Sequence, residues 1–269
     1  DDGFQNSSEM LHMSITQLET YREIATTAIT RAVALGPQPP MLQWNIPMQA
    51  AAARHWPEQE KQIADLNEQL TKDGDKQKHQ RELDQLLERF RQPHNNTYYR
   101  DLQSGRTVRS SWQYYGAKYA HAPTPPPNDI PVTPTHIVII PRGQFLIIEL
   151  GNQIPPVGTL RVRVRASQTL QTSATPPSLR LEFGWRASND SRALIRLSEH
   201  DLEITAKSDK PQFYQWEIPL GNIYPRNSVR TTAKMGATPN PSEYIRLLNS
   251  SISQGNIQID HVEITGPIH

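Results

Sequence analysis

A period of two in the second half of the chain constrains the fold more than anything else in it. Between Val157 and His269 the sequence reads GTLRVRVRAS, PSLRLEFGWRAS, QFYQWEIPL and NIQIDHVEITGP, with polar turns between. In the first run Leu160, Val162 and Val164 alternate with Arg161, Arg163 and Arg165. In the second, Leu179, Leu181, Phe183 and Trp185 alternate with Arg180, Glu182 and Arg186. Successive side chains on a strand point to opposite faces, so these are strands with one wet face. Each half-buried sheet must cover its apolar face with another, which predicts an antiparallel sandwich.

Two shorter apolar runs, His136 to Pro141 and Gln144 to Leu150, flank a tight PRG turn, and further strands are expected near Leu160, Leu179, Leu194, Phe213, Tyr244 and Ile257. Tyr214, Trp216, Ile218 and Leu220 alternate with Phe213, Gln215 and Glu217, which assigns Tyr214 and Trp216 to the core. Trp185 ends its strand beside the polar stretch RASNDS, where a ring can lie at a loop rim.

The first half reads as helical. Ser14 and Gln17 form a capping box, and a helix from Ile15 to Leu35 carries Leu18, Tyr21, Ala25, Ala28, Ile29 and Ala32 on one stripe suited to another helix. Gly36 and Pro37 end it, and Pro37 to Pro47 reads as an irregular crossing. From about 56 to 92 the stripes Ile63, Leu66, Leu70 and Leu83, Leu86, Leu87, Phe90 predict a helical hairpin, with the reversal near Gly74 and mixed charges on its wet faces. Asn95 to Ala120 holds six aromatics, and APTPPPNDIPVTP (122–134) is a stiff connector. The expected fold class is α+β: a helical region over 1–94, an aromatic segment and Pro-rich linker over 95–134, and a β-sandwich over 135–269.

Composition removes several function classes. The 28 basic and 27 acidic residues leave a formal charge of +1, so no overall field favours nucleic acid or an anionic membrane surface. The arginine row near Val162 is expected to be partly offset by Glu182, Asp190 and Glu199, which lie near in sequence. With no cysteine, disulfides, thiolate metal sites, a cysteine nucleophile and covalent c-type haem attachment are excluded within this chain. No apolar run reaches the length of a membrane span. The opening residues DDGFQNSSEM lack a signal pattern and read as the start of an excised or processed piece.

No phosphate-binding glycine loop, H-E-x-x-H or G-x-S-x-G occurs, and the nine histidines nowhere pair at three- or four-residue spacing. Glu199 and Asp201 share a strand-like spacing, as carboxylates do in most chains of this size. The chain is therefore read as no enzyme. The residues suited to ligand binding are aromatic: Trp185, Trp112, Tyr114 and Tyr115 are candidates for stacking on sugar rings, against the plainer reading that such rings seal the segment onto the sandwich. Asp260 is a candidate ligand for a hard cation such as calcium, against the plainer reading of an outward polar residue facing away from Ile257 and Ile259 with Val262.

Two sets of passages carry a family resemblance. DDGFQNSSEMLHMSITQLETYREIATTAI resembles the segment that follows the first conserved domain of large secreted planctomycete proteins, which join c-type cytochrome domains to domains of unknown function. IPRGQFLIIELGNQIP, GTLRVRVRAS, SLRLEFGWRASN, QFYQWEIPLGNIYPRNSVR, PSEYIRLLNSS and NIQIDHVEITGP resemble the β-rich insertion of one branch of that family. The insertion is similar to a carbohydrate-binding module of jelly-roll form, in some members of the calcium-dependent xylan-binding kind. The resemblance implies an extracytoplasmic, periplasmic or secreted, chain concerned with polysaccharide use, with no cofactor of its own beyond calcium. Its expected partners are a polysaccharide or oligosaccharide and the neighbouring domains of a longer polypeptide. The alternative is a scaffold that docks those domains and takes no ligand.

Overall fold

In a computed structural model the described residues are 14–35, 40–72, 76–111, 119–124, 130, 133–155, 157–169, 175–186, 192–223, 243–251 and 255–268. The chain divides into two compact units, Asp1–Pro40 and Met41–His269. In the first, helix α1 spans Ile15–Leu35. Its cap is the one expected: Gln17 N–H donates to Ser14 Oγ at 3.2 Å and Ser14 N–H donates to Gln17 Oε1 at 3.0 Å. The stripe expected to pack is instead open, with Leu18, Tyr21 and Ile29 each 60% exposed or more.

The second unit runs β1 (Leu42–Pro47), α2 (Met48–Ala52), α3 (Pro57–Lys72), α4 (Lys76–Phe90), β2 (Tyr98–Asp101), β3 (Thr107–Arg109), β4 (His136–Ile140), β5 (Phe145–Gly151), β6 (Thr159–Gln168), β7 (Ser178–Arg186), β8 (Arg192–Arg196), β9 (Leu202–Glu203), β10 (Gln212–Pro219), β11 (Glu243–Asn249) and β12 (Ile257–Ile268). One antiparallel sheet has the order β10-β6-β12-β4-β2-β3, with β1 also on β12, and the other has β5-β11-β7-β8, with β9 on β7. Set aside β1 to β3 and β9, and eight strands remain, four to a sheet, with the chain crossing between sheets at nearly every step. That is the strand order of a jelly roll. The expected α+β class with an antiparallel sandwich is the fold observed.

Burial follows the alternation. Leu160, Val162, Val164 and Ala166 of β6 face Leu179, Leu181 and Phe183 of β7 across one continuous core, all fully buried. Each of the Leu, Val and Phe side chains removed from water contributes on the order of 1.5–3 kcal/mol. The sandwich also recruits residues that read as separate. Its unit begins at Met41, well before 135, because β1 pairs along the C-terminal half of β12, from Leu42 opposite Gly266 to Pro47 opposite His261. Trp44 and Ile46 thereby join the core. The helical hairpin of α3 and α4 is tied to β3, where Gln59 Nε2 donates to Thr107 O at 2.7 Å and Thr107 Oγ1 lies 2.6 Å from Gln92 O. The reversal expected at Gly74 lies outside the described residues.

Between Ile259 and His261 the register of β12 on β6 slips by a bulge at Asp260. The extra residue restores Val262 and Ile264 to the face occupied by Ile257 and Ile259, and all four are fully buried. This corrects the expectation that Val262 faces outward with Asp260, which assumed an unbroken period of two.

Candidate functional site

The outer face of the larger sheet is charged but locally neutral. Arg161, Arg163 and Arg165 stand on β6, and the strands on either side supply their partners: Glu217 on β10 at 2.8 Å from Arg161, Glu263 on β12 at 2.6 Å from Arg163, and Asp260 at 2.5 Å from Arg165. Phe213 of β10 lies 4.3 Å beneath the Arg163 guanidinium. No basic stripe for a polyanion results.

At one end of this face the surface opens into a cleft of about 380 Å³, within the size range of small-molecule sites. Its floor is Ser167 of β6, Gln258 and Asp260 of β12, and Ile137 of β4; it is bounded by Leu102 and Pro134 from the β2 side and by Ser208, Asp209 and Pro211 from the β10 side. The strand order β2-β4-β12-β6-β10 makes this a channel across the strands, with about 19 Å between its flanking strands. The floor is held by its own bonds. Gln258 Nε2 donates to Ser167 Oγ at 2.8 Å and approaches Ser208 O at 3.4 Å, joining floor to wall. The wall is clamped by Tyr214, whose hydroxyl oxygen accepts from Thr205 N–H at 3.0 Å and Ala206 N–H at 3.1 Å. Gln168 N–H donates to Ala206 O at 2.9 Å on the same stretch.

Asp260 is 6% exposed, and its carboxyl is pushed up by burial against the opposing pull of Arg165. What faces the Asp260 carboxylate among the described residues is the Arg165 guanidinium, so its observed partner is an arginine, the plainer polar reading of this residue. The candidate platform Trp185 is corrected. It is 6% exposed and lies 6.1 Å, centroid to centroid, from Phe183, because it is the inward residue of β7 and follows Phe183 in the alternation. Trp112, Tyr114 and Tyr115 lie outside the described residues. Other rings of the same aromatic segment are inside: Tyr98 packs with Ile137 and Ile139, and Tyr99 stacks on His55 at 5.3 Å.

Sequence reasoning did not find Ser167, Gln258, Asp209 or the clamp by Tyr214. Each strand or loop contributes only one or two of them, so no local spacing marks the group.

No family model matches the chain, and no curated protein matches it. Among solved structures it is similar to the CBM22-1 xylan-binding domain from Paenibacillus barcinonensis, at 12% identity over 49% of this chain and 72% of that one, with a TM-score of 0.32. A family 16 carbohydrate-binding module is similar at 11% identity over 48% and 76%, with a TM-score of 0.27. The CBM22-1 and GH10 modules of a Clostridium thermocellum endo-1,4-beta-D-xylanase, solved with xylohexaose, are similar at 11% identity over 50% of this chain and 23% of that one, with a TM-score of 0.30. The jelly-roll assignment rests on the strand order and owes nothing to these likenesses.

Proposed function

We propose that this chain is a non-catalytic module that binds a stretch of oligosaccharide in the cleft across β4, β12 and β6. The observation that carries the reading is the cleft itself. A pre-bonded floor of hydroxyl, amide and carboxylate groups, with Ile137 beside them, lies between apolar walls at Leu102, Pro134 and Pro211. Sugars present hydroxyls around their rims and C–H groups on their faces, and such a channel complements both. Asp260 is engaged by Arg165 and Asp209 sits on an exposed turn, which supports binding over acid and nucleophile roles. Binding of this kind is weak, on the order of 0.1 to 1 mM, or about 4 to 5.5 kcal/mol. The wider reading, proposed with it, is a module of a secreted multi-domain protein concerned with polysaccharide use.

Isothermal titration with neutral xylo-, cello- and manno-oligosaccharides, after an affinity-gel survey of plant and algal polysaccharides, tests it. Gln258→Ala should weaken binding about tenfold while the fold is retained, through loss of about 1.4 kcal/mol. Absence of retardation by every polysaccharide would overturn the proposal.

A docking role is the second reading, and α1 favours it. Ile15, Leu18, Tyr21, Ile24, Ile29 and Val33 are all more than half exposed on one 21-residue helix. An exposed apolar face of this extent suits contact with another domain of a longer polypeptide.

A further inference from the structure

A second cavity, of about 220 Å³, lies away from the cleft, between α2 with the turn that follows it and the edge strand β5; Ala50, Ala51, Tyr99, Tyr119, His121 and Glu149 line it together with Arg54. We propose that it is a binding site for a single carboxylate group, held by Arg54. The two groups in direct contact with the guanidinium are neutral. Its Nε donates to His55 Nε2 at 3.1 Å, and its central carbon lies 4.8 Å from the centre of the Tyr119 ring. Arg161, Arg163, Arg165, Arg180, Arg196 and Arg246 of the two sheets each meet a carboxylate instead.

A half-buried guanidinium beside an imidazole and a phenol ring has shed water without gaining a counter-charge from them. Its planar fork matches a carboxylate with two parallel hydrogen bonds. The alanines leave the space for one. His55 and His121 are both held neutral, down at about 4, by burial first and by the Arg54 charge second, so at neutral pH neither ring shares the positive charge with Arg54. Glu149 is buried on the same cavity. A single guanidinium lines the cavity, which suits a monocarboxylate, whether a free acid or one uronic acid residue of a glycan.

The test uses the whole chain and three probes: sodium acetate, sodium glucuronate and glucose, titrated at constant ionic strength near about pH 6, where both imidazoles are neutral. Acetate or glucuronate should shift the ring C–H resonances of His55 and His121 saturably, and should raise their titration midpoints by opposing the Arg54 charge. Glucose should do neither. Response to acetate alone identifies a small acid, and response to glucuronate identifies a sugar acid; either supports the site. Arg54→Gln, shown to be folded by circular dichroism, should weaken the response at least tenfold. If Arg54→Gln does not fold, the midpoint shift in the unaltered protein decides. No saturable shift with either acid, or an equal shift with glucose, overturns the proposal. The cleft is tested with neutral oligosaccharides, so the two proposals fail separately.

Discussion

The hydroxyl end of the Tyr244 ring packs against Gly184 of the neighbouring strand, the two residues standing opposite each other in the pairing of β11 with β7. A Cβ at 184 would collide with the hydroxyl end of that ring, at Cζ, Cε2 and the oxygen, far within van der Waals contact. Gly184→Ala should therefore cost about 1–3 kcal/mol or more through overpacking, which lowers the melting temperature by several degrees in a chain of this size. Urea denaturation of Gly184→Ala, Tyr244→Ala and the double variant checks it. The double variant should be less destabilised than the sum of the two.

Arg165 and Asp260 are both nearly buried, with side chains 11% and 4% exposed. Arg165→Met should destabilise by roughly 3–5 kcal/mol, because an unpaired buried carboxylate remains, and Asp260→Asn added to it should recover part of the loss. The same pairing predicts that calcium or a chelator leaves the melting temperature unchanged; calcium-dependent stabilisation would show that a cation displaces the guanidinium.

Tyr214 serves the cleft wall through its oxygen alone. Tyr214→Phe keeps the ring but leaves the amides of Thr205 and Ala206 without their acceptor, at a cost of about 1–2 kcal/mol. Hydrogen exchange at these two amides should accelerate, and oligosaccharide affinity should fall in step as the wall loosens.

His55, His121 and His261 are each held down at about 4, burial being the main cause in every case and nearby arginines the second. Unfolding returns them to about 6.5, so between these values the unfolded chain binds more protons and stability rises with pH. The protein should be fully stable above about pH 6.5 and lose on the order of a few kcal/mol as the pH falls toward 4. Urea midpoints at several pH values measure this. His261 is 2% exposed with neither ring nitrogen hydrogen-bonded, and its replacement by Leu should remove its share of the pH dependence.

Local pattern carried the regular elements and failed where the partner lies far along the chain. The capping box of α1 and the alternation of β6, β7 and β10 are properties of a few adjacent residues, and they could be read directly. The acids that neutralise Arg161, Arg163 and Arg165 were sought nearby, at Glu182, Asp190 and Glu199, yet they are Glu217, Glu263 and Asp260, placed by the order β10-β6-β12. Glu182 instead meets Arg246, and Asp201 takes both Arg180 and Arg196. The strand β1 hid behind its flanking prolines, since its evidence is a pairing with residues more than two hundred positions away. The cleft was hidden for the same reason: Ser167, Gln258 and Pro134 share no segment, and Trp185 advertised a site only because its neighbours are polar.

The strand β12 sits between β6 on one side and, in succession, β4 and β1 on the other, and all three precede it along the chain. Until it emerges from the ribosome, three strands made long before hold bare amide edges, and the larger sheet cannot close. Assembly of this sheet must therefore wait for β12, and a nascent chain stalled just short of it would expose edges ready to pair with a stranger.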